Sequence, residues 1–103
     1  MNNWYKAATL EEIPPQGSRV VTTKQGNIAL FRTADGEVFA LRDKCPHKGG
    51  PLSQGIVFGN KVACPLHGWN ICLEDGNAVA PDVGCARSYP VKVEGEVVYL
   101  ALV

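Results

Sequence analysis

The sequence has no excess of charge of either sign. Of its 103 residues, ten are basic and ten are acidic, so the formal net charge is zero. A protein without a net positive field has no general attraction to nucleic acid or to an anionic membrane surface. We therefore expect neither nucleic acid nor membrane among its partners.

Segments that direct export or span a membrane are also missing. Residues 1–6 contain no basic stretch followed by an apolar run, and no segment approaches the ~18 consecutive apolar residues of a spanning helix. The expected location is the cytoplasm, where disulfides are rare. The four cysteines are therefore better explained as metal ligands or ordinary thiols than as two disulfides.

Helix signals are scarce, and short strand signals separated by turn residues follow one another along the chain. A capping box at 9–12 starts at most one helical turn before Pro14 and Pro15 end it. The expected strands are 4–8, 19–23, 28–32, 38–41, 56–58, 61–63, 69–73, 91–94 and 97–103. We expect turns at Gly26-Asn27, Asp35-Gly36, Gly59-Asn60 and Gly95-Glu96. The pattern predicts one all-β domain over 1–103, an antiparallel β-sandwich or small barrel.

Two short clusters contain both histidines and two of the four cysteines. They are Cys45-Pro46-His47 and Cys64-Pro65-Leu66-His67, and sixteen residues separate His47 from Cys64. Two thiols and two imidazoles that converge on one point form a soft, mixed sulfur and nitrogen metal site. Cys72 and Cys85 have no histidine nearby, so we interpret them as core filler or ordinary thiols.

Two kinds of metal centre are compatible with these four ligands. Structural zinc sites usually pair cysteine with cysteine and histidine with histidine, whereas each cluster here carries one of each. A dinuclear centre, in which each loop supplies a thiolate to one iron and an imidazole to the other, matches this order. The order favours a [2Fe-2S] cluster of the Rieske type, with a structural zinc site as the open alternative.

The segments 45–53 and 64–69 resemble the paired cluster-binding boxes of Rieske ferredoxins, and the likeness extends over nearly the whole chain. The resemblance implies a β domain with an inserted cluster-binding subdomain, at about 43–75 here. It also implies which residues bind which iron. The buried iron is expected to be bound by Cys45 and Cys64, and the outer iron by His47 and His67 through Nδ1.

Four positions depart from the pattern of respiratory Rieske proteins. Those proteins have a disulfide between the two boxes, where this chain has Gly50 and Leu66. They also place hydroxyl groups against the sulfurs, where this chain has Trp69 and Ile71. Fewer hydrogen-bond donors stabilise the reduced cluster less, so we expect a low reduction potential, on the order of −150 mV.

Surrounding residues are expected to shield the cluster and to leave the histidine edges as the exit for the electron. The predicted shielding residues are Pro46, Pro51, Leu52, Pro65 and Leu66. Basic side chains near the cluster either stabilise the added electron or are ordinary solvated charges. These are Arg42, Lys44, Lys48 and Arg87.

Within the family, the residues after His67 are similar to the small subunit of assimilatory NAD(P)H-dependent nitrite reductase. The likeness rests on Trp69-x-Ile71-x-Leu73, Gly76, 81–85 and Tyr89. It implies a large partner subunit with flavin, iron–sulfur and sirohaem groups, which reduces nitrite to ammonium, and no catalytic site on this chain. The first alternative is a free-standing ferredoxin between a flavin-containing reductase and an aromatic-ring dioxygenase or other Rieske oxygenase. The second is a zinc-stabilised interaction module.

Overall fold

The computed structural model describes residues 4–45, 50–65, 69–80 and 83–101. They contain ten strands: β1 (Trp4–Thr9), β2 (Gly17–Thr23), β3 (Gly26–Arg32), β4 (Val38–Arg42), β5 (Ile56–Phe58), β6 (Lys61–Ala63), β7 (Asn70–Cys72), β8 (Ser88–Tyr89), β9 (Val91–Glu94) and β10 (Val97–Ala101). Two short 3-10 turns, Leu10–Glu12 and Leu52–Gln54, are the helical elements of the described chain. The predicted all-β class is confirmed, and no described helix is long and apolar enough to cross a bilayer.

The strands form three antiparallel sheets. The terminal sheet has the order β1-β10-β9, the central sheet β2-β3-β4-β8, and the small sheet β5-β6-β7. The predicted hairpin at 56–63 is confirmed residue for residue, with Val57 opposite Val62. The last strand is shorter than predicted in the described part of the chain, because 102–103 lie outside it.

The first turn of the central sheet lies earlier than predicted. Gly26 and Asn27 were expected to form it, but both already belong to β3, and the turn is made by Lys24 and Gln25. The Thr23 hydroxyl accepts a hydrogen bond from the Gln25 N–H at 3.0 Å and donates one to the Gly26 carbonyl at 2.8 Å. A threonine side chain therefore completes this turn.

The predicted capping box is present at the start of the first 3-10 turn. Oε1 of Glu12 accepts a hydrogen bond from the Thr9 N–H at 2.9 Å. This bond is the main cause that lowers the pKa of Glu12 below its ordinary value of 4.5; desolvation opposes the shift and Arg19 adds to it. The guanidinium of Arg32 donates to the carbonyl groups of Leu10 and Ile13, at 3.2 and 3.1 Å, and so attaches this turn to β3.

Strand β3 of the central sheet is buried on both faces, because its alternate residues enter two different cores. Ala29 and Phe31 belong to the core between the central sheet and the small sheet, which we call the small-sheet core. Ile28 and Leu30 belong to the terminal-sheet core, shared with the terminal sheet, and all four side chains are 0% exposed. The small-sheet core contains Ala29, Phe31, Leu41, Cys45, Leu52, Val57, Val62, Cys64, Ile71, Leu73 and Ala86. The terminal-sheet core contains Ala8, Ile13, Ile28, Leu30, Ala40, Tyr89, Val98 and Leu100.

Candidate metal centre

Cys45 and Cys64 lie at the ends of strands that feed the small-sheet core. Cys45 follows the end of β4 by three residues, and Cys64 follows β6 directly. Their exposed fractions are 1% and 2%, and both belong to the same buried cluster. The fold therefore places the two predicted thiolate ligands in one apolar environment.

The two cysteine loops are closed by the same type of bond. The N–H of Cys45 donates to the Gly50 carbonyl at 2.7 Å, and the N–H of Cys64 donates to the Trp69 carbonyl at 2.7 Å. Each bond joins a cysteine to the carbonyl five residues later. The two predicted boxes thus share one backbone design.

In the chain, His47 comes between Cys45 and Gly50, and His67 comes between Cys64 and Trp69. His47 falls in 46–49 and His67 in 66–68, and both segments lie outside the described residues. Among the described residues, no three Cys, His, Asp or Glu side chains converge on one point. The structure therefore locates Cys45 and Cys64 in one core, and the role of all four residues as ligands stays a prediction.

The sulfurs of the two loops suit a soft metal. The described cysteines form no disulfide, and the side chains that share the core with Cys45 and Cys64 are apolar. Apolar surroundings exclude water from the two thiol groups, and thiolate ligands in such surroundings select iron–sulfur clusters or zinc. The donor set that the structure shows therefore fits both metal centres considered from the sequence.

The predicted surroundings of the centre differ in their exposure. Leu52 is fully buried in the small-sheet core, and Pro51 is half-buried, whereas Pro65 is exposed at the surface. Pro46 and Leu66 lie outside the described residues. The side chains of Arg42, Lys44 and Arg87 are exposed, and the Arg87 guanidinium lies over the Tyr89 ring at 5.1 Å from its centroid. Lys48 is also outside the described part.

The other two cysteines lie outside both cores. Cys72 is half-buried and pairs with Lys61 across the small sheet, while Cys85 is exposed and forms an isolated bridge with Asn77. Neither cysteine forms a disulfide, and Cys85, which is exposed, agrees with the interpretation as an ordinary thiol and not as core filler. Its thiol contacts the carbonyl groups of Asp75 and Ala86, at 3.9 and 3.5 Å.

The segment after β7 contains a close backbone contact that the sequence did not indicate. The predicted strand 69–73 is β7 with only three residues, and Leu73 begins a turn. Gly76 has a φ of +79°, and a Cβ there would lie 1.8 Å from the Ala86 carbonyl oxygen. Only glycine allows this approach, in which the Ala86 N–H donates to the Gly76 carbonyl at 2.8 Å. The Asp75-Gly76 pair in the sequence indicates a turn, but it does not indicate that Gly76 contacts Ala86.

A hydrogen-bonded pair at the base of the first loop was also missed from the sequence. The carboxylate of Asp43 accepts two hydrogen bonds from Ser53, at 2.7 and 2.8 Å. Both residues lie close to the Cys45 box, one before the cysteine and one at its end. The only sign of this pair in the sequence was a polar residue at each end of the loop, Asp43 and Ser53.

Comparison with known proteins identifies a matching family. The sequence profile of the Rieske [2Fe-2S] domain matches residues 3–90. The 3-phenylpropionate/cinnamic acid dioxygenase ferredoxin subunit of Photorhabdus laumondii is 38% identical over 96 residues, covering 91% of this chain and 90% of that protein. The 4beta-methylsterol monooxygenase of Methylococcus capsulatus is 36% identical over 110 residues, covering 96% of this chain. The chain spans only 30% of that enzyme's length.

A solved structure from Mycobacterium tuberculosis has a closely similar fold. Its provisional name is NADH-dependent nitrite reductase small subunit, and it superimposes with a TM-score of 0.88 at 27% identity. The match covers 100% of this chain and 97% of that one. Whole-chain matches are therefore found to two kinds of protein, one named for a dioxygenase and one for a nitrite reductase.

Proposed function

Because the chain belongs to the Rieske [2Fe-2S] domain family, we propose that it is a one-electron carrier that works with a separate redox partner. Family membership implies a Rieske-type [2Fe-2S] cluster as the cofactor. The cluster, when bound, supplies reversible one-electron chemistry. The proposed ligands are Cys45, His47, Cys64 and His67.

The observation that supports this ligand set is the paired closure of the two cysteine loops. The Cys45 and Cys64 N–H groups each bond the carbonyl five residues later, and both side chains enter the small-sheet core. Leu52, Phe31 and Val62 share that core and exclude water from the two sulfurs. The role of the chain is to hold the metal ligands in fixed positions. Electron transfer is fast when the ligands move little between the oxidised and the reduced state.

The histidine part of the ligand set is tested by changing a ligand type. Replacing His47→Cys puts an anionic thiolate in place of a neutral imidazole, so the variant is expected to keep a cluster but to have a lower potential. Redox titration with electron paramagnetic resonance measures the change. An unchanged potential and spectrum would show that His47 binds no metal. Lys24→Cys, which adds an exposed thiol far along the chain from either box, serves as the control.

We propose further that the partner is the large subunit of an assimilatory NAD(P)H-dependent nitrite reductase. The likeness to that small subunit rests in part on Trp69 and on 81–85, and the described residues among them form defined contacts. Trp69 closes the Cys64 loop through its carbonyl group and packs against the small-sheet core. Gly84 accepts a hydrogen bond from the Ala78 N–H at 2.9 Å, and Cys85 bridges to Asn77. The match over both full chains to the Mycobacterium tuberculosis protein supports the same partner.

The partner is tested by reconstitution. The cluster-containing chain is mixed with a large subunit that carries flavin, iron–sulfur and sirohaem groups, and NAD(P)H-dependent formation of ammonium from nitrite is measured. We expect the rate to rise on addition of the chain and not on addition of its Cys64→Ala variant. Equal rates with both proteins would refute the assignment.

A second candidate partner is supported by the sequence comparison. The dioxygenase ferredoxin subunit is 38% identical with about nine tenths of both chains covered, whereas the nitrite reductase structure is 27% identical. On this alternative, the chain transfers electrons from a flavin-containing reductase to an aromatic-ring dioxygenase. Electron transfer to such an oxygenase, without any stimulation of nitrite reduction, would favour it over the first candidate.

A further inference from the structure

Asp43 lies two residues before Cys45, and its carboxylate binds two groups of one residue on the other side of the loop. Oδ1 accepts a hydrogen bond from the Ser53 N–H at 2.7 Å, and Oδ2 accepts one from the Ser53 hydroxyl at 2.8 Å. Two parallel hydrogen bonds to one carboxylate fix orientation as well as distance. The pair therefore closes the loop at its base.

Both members of this pair are attached to the central sheet. The Asp43 N–H donates to the Asn27 carbonyl on β3 at 2.9 Å. The Ser18 hydroxyl on β2 donates to the Ser53 carbonyl at 2.6 Å. The two ends of the Cys45 loop are thus joined to each other and to neighbouring strands of a rigid sheet.

The carboxylate also places a negative charge near the loop. Asp43 is half-buried, and the two ion pairs between described residues, Arg19 with Glu12 and Lys92 with Glu94, do not include it. The donors that bind it are neutral groups of Ser53. Neutral donors stabilise a carboxylate without cancelling its charge, so its field acts on groups nearby.

We propose that Asp43 is a positioning residue for the metal centre. It holds the Cys45 loop closed, which slows loss of iron, and its charge lowers the reduction potential because it disfavours the added electron. This inference rests on the proposed role of Cys45 as a ligand. It assigns Asp43 no contact with the metal.

Two substitutions separate the effect of shape from the effect of charge. Asp43→Asn can still accept the Ser53 N–H and can donate to the Ser53 hydroxyl, but it has no charge. We expect this variant to retain iron as the wild type does and to have a raised potential. Asp43→Ala removes both hydrogen bonds, and we expect iron loss about 10- to 100-fold faster, as for other groups that orient metal ligands.

The chain offers a matched control in Asp75. Its carboxylate accepts a hydrogen bond from the Asn77 N–H at 2.9 Å, in an exposed turn after β7. Asp75→Ala therefore removes the same kind of bond from a loop that holds no proposed ligand. Iron loss and potential in this variant should equal those of the wild type. Ser53→Ala, which loses one of the two Asp43 bonds, should release iron faster than this control but more slowly than Asp43→Ala.

The experiment measures iron release to a chelator well below the unfolding midpoint, together with redox titration of each holoprotein. An unchanged potential in Asp43→Asn, or iron release from Asp43→Ala no faster than from Asp75→Ala, would overturn the proposal. If Asp43→Ala does not fold, Asp43→Asn and Ser53→Ala decide the outcome by the same criteria. If the wild type itself binds no iron, the ligand assignment fails and this inference fails with it.

Discussion

The two cores on opposite faces of the central sheet are built in different ways. The terminal-sheet core is closed by β1 and β10, which pair over five registered positions, and its 0%-exposed side chains are all aliphatic. The small-sheet core is closed by three strands of three residues each, and it contains Cys45 and Cys64. Strands this short form few ladder bonds. From this difference we expect hydrophobic burial to stabilise the first core, whereas the second core should also depend on its loops and on the proposed metal centre.

The largest effect is expected from removing a proposed ligand in the small-sheet core. Cys64→Ala should lose the cluster completely, because it removes one of the two proposed thiolate ligands. Iron and sulfide analysis with visible absorption measures the loss. Cys72→Ala, whose thiol lies outside both cores, should keep the cluster. Retention of a full cluster in Cys64→Ala would contradict the assignment of the small-sheet core as the metal-binding one.

Two cavity-creating substitutions, one in each core, sharpen the comparison. Leu100 and Ile71 are both 0% exposed, one in each core. Replacing either with alanine should lower the free energy of unfolding by about 2–5 kcal/mol, seen as a lower thermal midpoint. Only Ile71→Ala is expected to speed the release of iron to a chelator, because Ile71 packs in the core that contains both cysteines. Equal release from both variants would remove the distinction between the cores.

Hydrogen exchange before and after iron removal tests the same distinction along the backbone. The N–H of Cys64 bonds the Trp69 carbonyl, and β6 and β7 pair next to it. We expect amides of the small sheet to exchange about ten-fold or more faster without metal, because short strands open locally at low free energy. Amides of β3 and β10 should change little. A uniform increase over all three sheets would show that the metal stabilises the whole domain equally.

The smallest effect on stability is expected from Glu12, in the 3-10 turn that follows β1 of the terminal sheet. Its pKa is lowered in the folded state by the Thr9 N–H, with a smaller contribution from Arg19. The folded state therefore gains stability above the ordinary pKa of 4.5 and loses it as the pH falls through the lowered value. As the pH is lowered from above 4.5 through the lowered pKa of Glu12, the thermal midpoint of the wild type should fall slightly toward that of Glu12→Gln. A constant difference between the two proteins at all pH values would contradict the shift.

The strands were largely predictable because their signals are local. Alternation and turn residues located β5 and β6 to the residue, and the meander β2-β3-β4 within a few positions. The first turn was misplaced, because Thr23 hydrogen bonds, and not a glycine pair, determine its position. Strand β8 was missed, since its residue Tyr89 pairs with Ala40, which lies far away in the chain. The 3-10 turn Leu52–Gln54 was also missed.

The site was predictable in part for the same reason. Ligand types and spacing within each box are visible in the sequence, and the structure places Cys45 and Cys64 in one core. The Asp43–Ser53 pair and the Gly76–Ala86 approach depend on distances across loops, and no local pattern encodes them. His47 and His67 lie outside the described residues, and the role of all four residues as ligands stays a prediction.

Metal and sulfide analysis of the purified protein tests the central claim most directly. A Rieske-type centre in the small-sheet core predicts red-brown protein with two irons and two acid-labile sulfides per chain, and no zinc. Colourless protein with one zinc per chain and no sulfide would contradict it, and would assign Cys45 and Cys64 to a structural site instead.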